Sequence, residues 1–225
     1  MLKTTATAAL AAVAVSGVAN ANVVFSEIHF NTTSTDAEYI ELYNDGTGGG
    51  PVDISGWVID LWDSDTTDGD FGTVDLSITI PATTVLAIGE TYVLASPQAE
   101  SVFSITADLA ISNNDLENDS STYVLSDAGA SVLETIFIVD PGEGLGQANI
   151  GGVSITPDIS VPADGSFQAA GFYRTDAAGS FVLTDFFNGP PSDPGVVNYA
   201  PIPEPASLVL FAAGLGVVAL RRRSA

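Results

Sequence analysis

Runs of β-branched and aromatic residues, each fenced by Gly, Asp, Asn or Pro, recur through the middle of this chain and leave little room for helix. Such residues favour extended backbone, because branched or flat side chains pack well on a pleated surface. Strands are expected at Val23–Phe30, Glu38–Tyr43, Gly56–Leu61, Gly72–Ile80 and Glu90–Ala95. More are expected at Thr122–Ser126, Val132–Val139, Phe167–Arg174 and Ser180–Leu183. Strict alternation assigns their faces. In the first run Val24, Ser26, Ile28 and Phe30 share one face, and Val23, Phe25, Glu27 and His29 the other. In the second, Ile40 and Leu42 oppose Tyr39, Glu41 and Tyr43, and the turn Asn44-Asp45-Gly46 follows. Short strands at this spacing, with no internal repeat, predict an all-β sandwich or barrel.

The two ends read differently. Lys3, the apolar stretch Ala8–Val18 and the small-residue site Ala19-Asn20-Ala21 have the layout of a secretory leader cut after Ala21. No twin arginine precedes them, which points to the general secretory route. A buried N-terminal helix is the other reading, but no polar helical face repeats through the run. At the other end Pro201-Ile202-Pro203-Glu204-Pro205 precedes an apolar run and then Arg221-Arg222-Arg223. Ala206–Leu220 is fifteen residues, or roughly 22 Å of helix. A bilayer core is about 30 Å thick. The segment is a short transmembrane helix, and the arginines act as its cytoplasmic stop. It suits a segment held briefly and removed; a tail anchor that stays is the alternative. The division is then leader 1–21, one domain over 22–200 and a tail over 201–225.

Charge narrows the partners. Of five bases, Lys3 and Arg221, Arg222 and Arg223 lie in the end segments, and of 28 acids only Glu204 does. The domain between them carries 27 acids against Arg174, a net charge of −26. Such a surface repels nucleic acid and anionic lipid. Solubility in a salty medium explains it, and so does binding of divalent cations. The chain has no cysteine, so packing or a bound ion must do what disulfides do in many small secreted domains.

Two resemblances follow from these residues. The tail, with Pro203-Glu204-Pro205 at its head, resembles the PEP-CTERM sorting signal of Gram-negative bacteria that make exopolysaccharide. The resemblance implies an exosortase-type sorting protease as partner. It also implies transient anchoring in the inner membrane, then a place at the cell surface or outside the cell. The series Val24-Phe25-Ser26-Glu27-Ile28, Glu38 to Asn44, Val52-Asp53-Ile54-Ser55-Gly56-Trp57 and Leu86 to Leu94 resembles the lamin tail domain. Pro194-Gly195-Val196-Val197-Asn198 is similar to its close. That family implies an immunoglobulin-like β-sandwich, here flanked by the signal helix and the short transmembrane helix. The stretches 96–121 and 142–165 are expected insertions. Ile40 and Leu42 would fill the sheet interface with Glu41 facing away. Asp53 and Ser55 suit a turn, and Trp57 a large apolar anchor.

Signals for chemistry are sparse. His29 is the lone histidine, and no Gly-x-Ser-x-Gly elbow exists. Gly142-Glu143-Gly144-Leu145-Gly146 imitates a phosphate loop but has the wrong spacing and leads into no helix. Asp60, Asp63, Asp65, Asp68 and Asp70 crowd one stretch. Hard cations take six to eight oxygens on a flexible loop, so Ca²⁺ is the candidate ligand. The spacing is not that of an EF-hand, and a solvated turn is the competing reading. Asn113-Asn114-Asp115 with Glu117-Asn118-Asp119 is a second such cluster.

The expectation is therefore a non-enzymatic binding or structural module of the extracellular matrix, its partner a polysaccharide or an envelope protein. A calcium-dependent adhesin is the alternative. A secreted hydrolase would need a pocket gathering His29, Arg174 and carboxylates.

Overall fold

Alternation in the chain becomes two facing sheets in the computed structural model, which describes residues 23–30, 37–66, 71–116, 120–139, 148–150, 153–161, 169–176, 178–185, 193–197 and 199. The strands are β1 (Val23–His29), β2 (Tyr39–Asn44), β3 (Val52–Asp53), β4 (Val58–Asp63) and β5 (Val74–Thr79). Then come β6 (Val85–Leu86), β7 (Thr91–Ala95), the helix α1 (Pro97–Phe103), β8 (Leu109–Ala110), β9 (Ser121–Ser126) and β10 (Val132–Val139). β11 (Ala148–Ile150), β12 (Val153–Ile155), β13 (Ile159–Ser160), β14 (Ala169–Arg174) and β15 (Phe181–Asp185) complete the order. One sheet has six strands in the order β15-β14-β1-β2-β7-β8, and the other five in the order β13-β10-β9-β4-β5. β3 with β6, and β11 with β12, form two small ribbons.

The core lies between the large sheets. Ile28, Ile40, Leu42, Leu94 and Phe172 from the first meet Ile59, Leu61, Tyr123, Leu125 and Ile136 from the second. Phe25 and Tyr123 touch edge to face across the gap, with ring centroids 6.3 Å apart. Trp57 is buried in the same cluster, as expected of an anchor. Every strand expected from alternation is present, trimmed or extended by a residue or two.

The faces of β1 differ from strict alternation. Its pairing with β2 runs Phe25 to Leu42 and then Glu27 to Glu41, so Ser26 is an extra residue, a β-bulge. The bulge reverses the parity before it. Val23 and Phe25 turn inward with Ile28 and Phe30, and Val24 pairs with Tyr43 on the outer side.

The helix α1 also departs from the sequence expectation. Ser96 caps it, its side chain accepting from the Ala99 N–H at 3.2 Å, with proline in the first turn. The expected insertion 96–121 thus carries α1 and β8, and 142–165 carries β11, β12 and β13. Each adds a two-residue strand parallel to a longer one, β8 to β7 and β13 to β10. The expected leader and tail lie outside the described residues. Among the described residues, no helix is long and apolar enough to cross a membrane.

The two sheets are also joined by charge. Arg174 of β14 points inward, 3 % exposed, and pairs with Glu134 of β10. Its Nε donates to the Phe25 carbonyl at 2.9 Å, and Glu134 Oε2 accepts from the Phe25 N–H at 2.7 Å. The guanidinium also lies over the Phe181 ring, 4.8 Å from its centre. Burial raises the Glu134 carboxyl above its usual range, while Arg174 and the Phe25 N–H pull it back. Glu134→Ala strands a buried cation and should cost about 3–5 kcal/mol by urea unfolding. Replacing both residues by methionine removes the charge problem but orphans the Phe25 N–H and C=O. The double variant should remain roughly 1–3 kcal/mol below the parent for each orphaned group. A double variant as stable as the parent would mean that Phe25 does not depend on the pair.

Candidate functional site

Where β7 starts, the turns on either side of β6 leave an open groove of about 590 Å³. Thr83, Thr84, Val85, Glu90, Thr91, Tyr92, Asp108 and Gly195 line it. Turn chemistry built from short side chains holds this shape. Ser55 receives the Asp53 carboxylate on its N–H at 3.0 Å, the Asx turn expected from Asp53 and Ser55. Ser55 Oγ in turn accepts from the Thr84 N–H at 2.9 Å. Buried Asn44 holds the opposite turn, donating to the carbonyls of Leu86 at 2.9 Å and Gly50 at 3.1 Å.

Thr83 sits at φ 69°, in the left-handed region. A β-branched residue there costs on the order of 1–3 kcal/mol, and surrounding structure must hold it. The groove is rich in acceptors. Glu90 Oε2 accepts from the Ala87 N–H at 2.8 Å, and Asp108 Oδ2 from the Val93 N–H at 2.8 Å. The second oxygen of each carboxylate has no partner among the described residues. Burial and the Asp108 charge raise the Tyr92 phenol, against the opposing pull of Thr84.

The outer face of the six-stranded sheet is covered rather than open. Toward one end His29 stacks on Tyr39 at 5.5 Å, and Phe103 of α1 meets both rings edge-on. His29 Nδ1 lies 3.0 Å from the Ala37 carbonyl, so that nitrogen carries the proton. Burial pulls the His29 pKa down to about 4, so the ring is neutral near pH 7. Toward the other end the closing segment covers Glu41. That carboxylate accepts from the Ser26 hydroxyl at 2.6 Å and from the Gly195 N–H. Tyr199 meets Tyr43 edge-on at 5.3 Å. Glu41 faces away from the core, as expected, yet is wholly buried. Burial raises its pKa, opposed by the Ser26 and Gly195 bonds.

The acidic cluster divides. Asp60 faces outward and accepts from Ser77 Oγ at 2.6 Å. Asp63 and Asp65 are buried, and Asp63 Oδ1 accepts from the Asp65 N–H at 2.7 Å. Asp60 and Asp63 therefore project from opposite faces of β4. Asp68 and Asp70 lie outside the described residues, as do Glu117, Asn118 and Asp119. Asn113 and Asp115 accept from the backbone of Gln98 and Ser112, at 3.4 Å and 2.6 Å. Among the described residues no three His, Asp or Glu side chains converge as a metal site. His29, on the outer face, and Arg174, inside, are separated by the sheet itself. The leader site Ala19 and Ala21, the motif Pro203, Glu204 and Pro205, and the stop Arg221, Arg222 and Arg223 lie outside the described residues. The groove residues gave no sequence signal, because Thr83, Glu90 and Asp108 meet only through the turns that join distant strands.

Two packed sheets with turns carrying the exposed polar groups define a β-sandwich module. The chain belongs to the lamin tail domain family, whose profile matches residues 17–140. Residues 201–223 match the PEP-CTERM protein-sorting motif, which marks a chain for export and sorting at the membrane by an exosortase-type system. No curated protein matches the chain.

The neutral state of His29 has a measurable consequence. The unfolded chain binds a proton at the ordinary value of 6.5, the folded one only at about 4. Stability is therefore lost as pH falls from 6.5 to 4, by on the order of 3 kcal/mol. The raised Glu41 and Glu134 work oppositely, losing stability as pH rises above their ordinary value, so a difference between two proteins is the clean readout. His29→Phe keeps the stacking and removes the proton. Its urea midpoint should fall less between pH 7 and pH 4 than that of the parent; parallel profiles would refute the assignment.

Proposed function

We propose that this protein is an exported, non-enzymatic binding or structural module of the extracellular matrix, an immunoglobulin-like sandwich routed to the cell surface by its tail. The leader 1–21 is removed on export, 22–200 is the working domain, and 201–225 is read and cut by an exosortase-type protease at the inner membrane. The observation that carries this reading is the sorting motif matched at 201–223, which follows directly on the sandwich. Gly195, hydrogen-bonded to Glu41, and Tyr199, packed edge-on against Tyr43, lie just before that motif in the chain. The family match and the separation of His29 from Arg174 favour a module over a hydrolase. Extracellular polysaccharide or an envelope protein is the fitting partner, and the many acids speak against nucleic acid.

Replacing Pro203, Glu204 and Pro205 by alanine in the host tests the route. The expected result is a heavier, uncut chain in the inner-membrane fraction, seen by immunoblot and by mass spectrometry of both termini. The same cut product at the cell surface, with or without the motif, would sink the reading.

A calcium-dependent adhesin is the second reading. Asp63 at the end of β4 and Asp65 two residues on, both buried, favour it, and Asp68 and Asp70 follow in the chain. Asp60 does not contribute, since it faces outward to Ser77. Calcium in the millimolar range should then raise the thermal midpoint of the parent and not that of Asp63→Asn. An unmoved parent midpoint removes calcium from the account.

A further inference from the structure

Resting on the exported role proposed above, we infer that the groove along the start of β7 binds a segment of an uncharged, polyhydroxylated glycan chain. The groove asks for a ligand that donates hydrogen bonds. The Thr83 hydroxyl spends its proton on the Ala82 carbonyl, leaving lone pairs to offer, while that of Thr84 is shared between the Pro81 carbonyl and the Tyr92 phenol. Glu90 and Asp108 each keep one carboxylate oxygen without a partner among the described residues. A ligand with several hydroxyls satisfies such a wall through short, charge-assisted O–H···O⁻ bonds.

Charge removes the other glycan classes. The lining carries two acids and no base, so a polyuronate or a sulfated chain would be repelled. Phosphate groups are excluded in the same way. Val85 adds an exposed apolar contact. It is 57 % exposed at the groove, an apolar surface on which the C–H face of a sugar ring can rest. Shape agrees. The groove is open to solvent rather than enclosed, as a site for a chain segment must be. Its volume of about 590 Å³ falls within the roughly 300–1,000 Å³ typical of ligand clefts. The left-handed Thr83 fits this role, since backbone strain concentrates where a ligand is met.

Titration calorimetry on the processed protein purified from its host tests the site. The probes are neutral hexasaccharides of glucose, mannose and xylose, a glucosamine hexamer, and a polyuronate oligomer. At least one neutral hexasaccharide should bind, and the polyuronate should not. Glu90→Gln with Asp108→Asn keeps both backbone bonds, so its unfolding midpoint should hold while affinity falls about tenfold or more. Val85→Glu, at an exposed position, should weaken the same probe. Binding of the glucosamine hexamer alone would overturn the assignment in favour of charge pairing. Binding of the polyuronate, of no probe, or of a neutral probe indifferent to both variants would also overturn it. Protein that is cut and exported yet binds nothing ends this assignment and leaves the export reading standing. Protein retained uncut at the membrane ends that reading instead.

Discussion

Arg174 is the one base in residues 22–200, and it is spent inside the fold. Its position explains why the sandwich closes. The β1–β14 ladder begins only at Glu27 opposite Tyr173, beyond the bulge at Ser26. Phe25 is thus left with an N–H and a C=O turned away from β2. The Glu134 carboxylate takes the first and the Arg174 guanidinium the second. One ion pair, drawn from two sheets, therefore finishes the hydrogen bonding of a third strand. A buried ion pair is by itself weak evidence of stability, because desolvation offsets most of the attraction. Here its worth lies in the backbone groups it satisfies.

Buried glutamates do the same elsewhere, in place of disulfides. Glu38 accepts from the N–H groups of Asp115 and Leu116, at 3.0 and 3.1 Å, and so fixes the far end of the first insertion. Glu41 holds Gly195 of the closing segment. Each ties β2, or the residue just before it, to chain far away in sequence. A carboxylate bonded to backbone N–H groups makes stronger bonds than a neutral acceptor. A cysteine-free chain thereby gains long-range staples that need no oxidant. The surface acids repel one another, and these inner acids do not share that cost, because donors meet them.

How much of this was legible follows from the same physics. Period-two alternation located the long strands and gave the right outer face of β2, since Ile40 and Leu42 do point inward. It failed at Phe25, because a bulge shifts parity without any residue type that announces it; Ser26 looks like an ordinary polar strand residue. The helix α1 was written in local code, Ser96 followed by Pro97 and then Glu100, but it is only seven residues long and lacks a periodic apolar stripe. The acidic cluster is parted by the same alternation. Residues close in a strand sequence point to opposite faces, which parts Asp60 from Asp63. The groove was invisible because Glu90 and Asp108 are joined by β7 pairing with β8, a parallel contact across α1 that no local pattern encodes.

The family match ends at residue 140, yet the fold does not. β14 lies next to β1, one strand in from the edge of the six-stranded sheet, and it brings Arg174. A chain stopped at 140 would leave Phe25 and Glu134 without their partner and expose the edge of β1. The later strands are therefore part of the same core and not an appendage to it. The closing segment extends this logic, for its Gly195 both caps Glu41 and borders the groove. Gly195 thus links the outer face of β2 to the rim of the groove.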